Sequence, residues 1–274
     1  MKPGLFLSLL LLSGVSPAWS QKNIRGLINA EKQFAWFTAS HTVKEGFLNY
    51  MDSAGIIFRN GAAVNAQEAF RKQNAGAGIL NWEPAFAVIS ASGDMGATTG
   101  PYEFRAKTIQ DTPVGRGHFF SVWRINAAGE WKNIADFGSS SKMPATQVQK
   151  VKEIILDKLK PGDMDQDGLM LLDKKFNTAL QDRNIGGWMP YTSTDSWLNL
   201  DGQLPAMGML QIADVLQKLP EGLKITTTAG ELSSAKDLGY TYGTVVNGSQ
   251  TNNYLRVWIY RNRQWQVIMQ TLKW

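Results

Sequence analysis

Ser92-Gly93-Asp94-Met95-Gly96-Ala97-Thr98-Thr99-Gly100-Pro101-Tyr102 returns later in the chain, altered, as Ser234-Ala235-Lys236-Asp237-Leu238-Gly239-Tyr240-Thr241-Tyr242-Gly243-Thr244. Both stretches read Asp, an apolar residue, Gly, and a further Gly four residues on. Other landmarks extend the match. Asn60-Gly61 is a tight-turn signal, and Asp201-Gly202 takes its place in the second half. Val122-Trp123 corresponds to Val257-Trp258, and Trp131-Lys132-Asn133-Ile134 to Trp265-Gln266-Val267-Ile268. Four landmarks in one order predict two copies of one fold. Gly96 and Gly239 follow Asp and an apolar residue at a chain reversal, which predicts a positive φ at both.

Around this hairpin the periodicities define elements. Ile24, Leu27, Ile28, Glu31, Phe34, Ala35 and Thr38 recur at helical spacing over 24–40. Residues 41–51 and 65–72 carry shorter helical patterns, with Ile56-Ile57-Phe58 as a strand between them. Strands are expected over 82–92, 99–107, 117–126 and 131–137, the first with Pro84 near an edge. The second half repeats this order, with helices over 169–182 and 207–219. Its strands fall at 224–231, 239–246, 253–261 and 264–272. Helices followed by an antiparallel meander make an α+β fold. Pro144 and the stripe Val148, Val151, Ile154, Ile155 and Leu159 predict a connecting helix near 144–160. The expected layout is a leader at 1–20, a first α+β domain at 21–140, a connector helix and acidic linker at 141–166, and a second domain at 167–274.

The leader is expected because Lys2 precedes a short apolar run, Leu5 to Leu12, and Ala18 and Ser20 suit cleavage before Gln21. That run is too short to span a bilayer. Export follows, to a bacterial periplasm or beyond, with no membrane insertion. The 274 residues contain no Cys, which excludes disulfides and thiol chemistry. The net charge of +5 is mild and scattered, unlike the clustered basic face of a nucleic-acid binder.

Ala30-Glu31-Lys32-Gln33-Phe34, Tyr50-Met51-Asp52-Ser53-Ala54 and Val122-Trp123-Arg124 with Gly129-Glu130-Trp131-Lys132-Asn133-Ile134-Ala135-Asp136 resemble SnoaL-like and ketosteroid-isomerase-like domains. These belong to the nuclear-transport-factor-2-like superfamily. The resemblance covers roughly 27–138 and 168–274, and the hairpin is similar to one in an exported bacterial branch. It implies two tandem cones, each with a helix packed into a curved antiparallel sheet around a pocket. The second copy departs where Met269-Gln270-Thr271-Leu272 replaces Ala135-Asp136-Phe137. The superfamily hosts enzymes, binders and association modules, so fold alone does not assign function.

His41 and His118 are the only histidines. His118, with Glu103 on the neighbouring strand and Asp136 beyond, is the candidate catalytic set, His acting as a base near neutral pH. A half-buried strand His is the alternative. Trp36, Phe37, Tyr50, Trp82, Tyr102, Phe104 and Trp123 are enough aromatic surface to line a ligand cavity, or else a plain core. Alternation puts Tyr102 and Phe104 on one face and Glu103 on the other. Asp94 and Asp237 suit either a pocket rim or turn bonds to nearby N–H groups. Asp163-Met164-Asp165-Gln166-Asp167-Gly168 starts like a calcium loop, but Lys174 stands at its twelfth position, so a solvated acidic linker is expected. No cofactor fingerprint and no metal-ligand spacing is present. Two expectations follow. One is a protein that binds a small apolar molecule, or a partner through its sheet faces, without catalysis. The other is a cofactor-independent lyase or isomerase acting on a small apolar or polyketide-like substrate in the first pocket.

Overall fold

The computed structural model describes residues 23–143, 147–157 and 164–274. The expected leader and its cleavage site lie outside them, as does Asp163. The first domain opens with three helices, α1 (Ile24–Ser40), α2 (Val43–Tyr50) and α3 (Ala66–Lys72). Its strands are β1 (Met51–Arg59), β2 (Ala62–Asn65), β3 (Ile79–Trp82), β4 (Phe86–Ile89), β5 (Met95–Arg105), β6 (Gly115–Ile125), β7 (Trp131–Asp136), β8 (Ser139–Ser140) and β9 (Lys152–Ile155). The second has α4 (Gln166–Gln181), α5 (Ile185–Trp188), β10 (Trp197–Leu200), β11 (Ala206–Met207), α6 (Gly208–Leu216), β12 (Lys224–Leu232), β13 (Leu238–Asn247), β14 (Gln250–Arg261) and β15 (Gln264–Leu272).

Both are cone-shaped α+β domains, a long helix packed on a curved and largely antiparallel sheet. The first sheet runs β2-β1-β7-β6-β5-β4-β9 and the second β11-β10-β15-β14-β13-β12. Their shared core order is the same, including a parallel pair that closes each meander, β1 with β7 and β10 with β15. A register shift falls at Val122/Trp123 and again at Val257/Trp258. Such bulges bend a strand and deepen its twist, which curves each sheet around its helix.

Alternation then divides the residues. Phe119 and Trp123 face the helices of the first cone. Phe120 and Val122 face the other way, into one buried cluster with Leu255, Val257, Ile259 and Met269 of the second sheet. The two sheets therefore pack back to back, and each covers the other's outer face.

The repeated hairpin sits in this seam. Asp94 Oδ2 accepts Ser234 N–H at 3.0 Å, and Asp237 Oδ2 accepts Ala91 N–H at 2.8 Å. Ser90 Oγ bonds Asp94 and Ser233 Oγ bonds Asp237 within each turn. Each Asp thus serves its own turn and the opposite one, the reciprocal pattern of a two-fold interface. The positive φ lies at Gly93 (66°) and Lys236 (58°), not at Gly96 or Gly239 as expected. Those two glycines answer to close approach instead. A Cβ on Gly96 would stand 2.6 Å from Leu27 Cδ2 and from the Val88 carbonyl; on Gly239 it would stand 2.8 Å from Leu169 Cδ2. Gly96→Val and Gly239→Val are each expected to destabilise by about 1–3 kcal/mol through overpacking. A chemical melt that left either variant at wild-type stability would show that the long helices do not press on the sheets here.

The expected connecting helix is overturned. Lys152–Ile155 is a strand, parallel to β4, and Ile154 and Leu156 enter the seam between the sheets. The β-branched Val151, Ile154 and Ile155 are weak helix formers, and β4 offers an open edge whose backbone groups need partners. Residues 144–146 and 158–163 lie outside the described residues. The acidic stretch is more than a linker, since Asp165 caps α4 by accepting Gly168 N–H at 2.8 Å. Pro84 splits the expected strand over 82–92 into β3 and β4.

Candidate functional site

In the first cone α1, α2, β3, β5, β6 and the end of β7 line an open-mouthed cavity of about 410 Å3. Its walls are Phe34, Phe47, Leu80, Trp82, Tyr102, Phe104 and Phe119, and Asp136 supplies its one charged side chain. Asp136 Oδ2 accepts Ser121 Oγ–H at 2.8 Å and Asn133 Nδ2–H at 3.2 Å. Burial pushes the Asp136 carboxyl up to about 6, and these two donors only partly offset it.

Below the wall lies a second acid. Glu31 is fully buried on α1 and accepts from Trp82 Nε1 at 2.6 Å, Thr98 Oγ1 at 2.5 Å and Trp123 Nε1 at 2.8 Å. Burial lifts it from the ordinary 4.5 to about 7, with the charge of Asp136 adding to the shift. A raised folded-state value means that folding favours the protonated acid. Its stabilisation is complete below about pH 4.5 and is lost as pH rises through about 7, on the order of 3 kcal/mol in all. Glu31→Gln is expected to lower stability at pH 5, because an amide leaves one indole N–H facing an NH2 group. It should also flatten the decline between pH 5 and 8. Denaturant melts across that range test it, and a slope equal to wild type would mean that Glu31 does not titrate there.

The same addresses in the second cone are filled differently. Strand register aligns Ser121 opposite Asp136, and Arg256 opposite Gln270. Thr98 opposes Ser121 as Thr241 opposes Arg256. Asp173 takes the place of Glu31 on α4, accepting from Thr227, Thr241, Tyr254 and Trp258. Arg256, wholly buried, pairs with Asp173 and donates to Gln270 Oε1 and to Asn177 Oδ1. Its guanidinium lies 4.3 Å from the Phe176 ring centre, 4.6 Å from Tyr254 and 5.8 Å from Trp258. Burial works to raise Asp173, but Arg256 and the hydroxyl donors outweigh it and hold the acid low. The cavity beside Phe176 and Gln270 shrinks to about 10 Å3.

The structure does not assemble His118, Glu103 and Asp136 into one set. His118 points to the seam with Phe120, its Nδ1 has no hydrogen-bond partner among the described residues, and burial drops it to about 4. Glu103 turns outward to Arg105 and Arg116. Asp136 alone of the three lines the cavity. Trp82, Tyr102 and Phe104 are cavity walls, and Trp123 is buried behind Phe34. Tyr50 stacks on the far side of Phe34, and Phe37 stacks on His41. Trp36 is 70% exposed on the outer side of α1, so it is no lining residue: the helix spacing that buries Phe34 and Ala35 turns it to solvent. Sequence reasoning placed Phe34 and Glu31 on the inner face of α1 without assigning them to the site, and missed Phe47 and Phe119 as walls and Asp173 and Arg256 as buried charges. An acid inside an apolar helix stripe, and an Arg between inward Tyr254 and Trp258, were the available signals.

Among the described residues no helix is long and apolar enough to cross a membrane. No protein-family model matches the chain, and no curated protein does. Solved structures are similar over part of it. One is a protein of unknown function with a cystatin-like fold from Nostoc punctiforme, 17% identical over 38% of this chain and 86% of its own, TM-score 0.32. Another is a ketosteroid isomerase-like protein from Erwinia carotovora atroseptica, 13% identical over 40% and 96%, TM-score 0.34. A third is a nuclear-transport-factor-2-like protein of unknown function from Pseudomonas putida, 17% identical over 39% and 83%, TM-score 0.34.

Proposed function

We propose that this is an exported protein built from two tandem copies of one cone fold, in which the first copy binds a small, largely apolar molecule and the second is a closed scaffold. One observation carries the reading. The second cone packs Arg256 among the rings of Phe176, Tyr254 and Trp258, with about 10 Å3 beside Phe176 and Gln270, whereas the first keeps about 410 Å3 beside the matching Phe34 and Asp136. A fold able to close this space leaves it open in one copy, and its volume is that of an ordinary small-molecule site. The back-to-back packing fits the same reading, because it covers the sheet faces that a separate partner would use.

Native mass spectrometry of protein from its source is expected to show a retained small molecule that is released on unfolding. A mature mass beginning at Gln21 would accompany it. A ligand-free spectrum, together with a chain still carrying Met1, would count against both parts. A second reading, a cofactor-independent lyase or isomerase, rests on Asp136, whose carboxyl near 6 in an apolar pocket suits acid–base transfer. Under it, Asp136→Asn would leave ligand retention in place and abolish turnover.

A further inference from the structure

Resting on the reading of the first cone as a binding site, we propose that its ligand is an organic cation. It would be an amine or guanidine on an apolar body, with its charged end against Asp136, at the place the Arg256 guanidinium holds in the second cone.

The second cone shows what this site accommodates. Phe176, Tyr254 and Trp258 surround a guanidinium at 4.3 to 5.8 Å, within cation–π range. Phe34, Phe119 and Trp123 are the corresponding rings of the first cone, and Trp82 and Tyr102 add aromatic surface. The charges differ. In the second cone one buried carboxylate meets one buried cation. The first has two acids, Glu31 fully buried and Asp136 half-buried at the cavity wall, and among the described residues neither forms an ion pair. Serine stands where the cation would be. Among the described residues both donors to Asp136 reach Oδ2, so Oδ1 is the oxygen left for a ligand. A neutral donor would satisfy one lone pair there. A cation would also compensate the buried charge, which is the costlier deficit.

The test compares phenylbutylamine with phenylbutanol, which share an apolar body, by calorimetry on the full chain near pH 8. The amine is expected to bind at least about tenfold tighter, as close buried charge pairs allow. Asp136→Asn should remove most of that preference while the alcohol still binds. If the variant does not fold, wild type near pH 5 makes the same comparison. Asp136 then takes up its proton, Glu31 beneath it does too, and the neutral Ser121, Asn133 and Tyr102 complete its surroundings. The preference should shrink there. Equal affinities near pH 8, or a preference unchanged in both tests, would overturn the cation and leave a neutral-ligand pocket. Binding of neither probe, with no retained ligand in the native protein, would remove the binding site itself.

Discussion

Arg256→Ala is expected to cost on the order of 3–5 kcal/mol, a large share of the roughly 5–15 kcal/mol that holds an ordinary domain folded. The reason is what it leaves behind. Asp173 would stay wholly buried with its hydroxyl and indole donors but no countercharge. The rings of Phe176, Tyr254 and Trp258 would also lose the group packed between them. Removing one partner of a buried pair is far worse than removing both. Arg256→Met combined with Asp173→Asn should therefore recover most of the loss, since it deletes the charge and keeps the volume. Urea melts of the two variants and the wild type would decide it. An Arg256→Ala variant within about 1 kcal/mol of wild type would show that the guanidinium is not what holds this cone closed.

Grafting the second cone's closure onto the first should abolish ligand retention. The literal copy is Glu31→Asp, Ser121→Arg and Asp136→Gln, taken from Asp173, Arg256 and Gln270. The new guanidinium would enter the shell of Phe34, Phe119 and Trp123 and pair with residue 31. Ligand binding is expected to fall by roughly a hundredfold or more, as a filled pocket excludes its occupant. The fold should survive, because every substituted residue already works at the matching address of the same molecule. The pH response should change sign. Wild-type Glu31 is held high and loses stabilisation as pH rises through about 7. An acid paired as Asp173 is held low and keeps its stabilisation until pH falls through its own folded-state value. A graft that folds and still retains ligand would place the binding site elsewhere.

Much of this architecture was legible in the chain because it is encoded over short windows. The helical stripe of 24–40 named the buried face of α1, including Glu31 as an acid among apolar residues. Alternation separated the cavity walls Tyr102 and Phe104 from outward Glu103. The paired hairpins set two domains of one strand order. The Asp136-to-Gln270 departure already marked the two interiors as different.

What escaped is whatever depends on a partner far away in sequence. Lys152–Ile155 carries a helical stripe, yet the open edge of β4 draws it into a strand. Asp94 and Asp237 could be recognised as turn residues, but not as reaching each other's turns across the seam. His118 and Asp136 lie on neighbouring strands of one sheet, and only the face each side chain takes separates them. Arg256 reads locally as one charge on an apolar strand. Its role comes from a carboxylate on a helix 83 residues away and three rings converging on one point. Local backbone preference acts within a turn or two, whereas a pocket is made where distant segments meet. The repeat in the chain therefore set out two halves of one strand order, and packing decided what each interior holds, a buried Arg256 in one and an aromatic-walled cavity in the other.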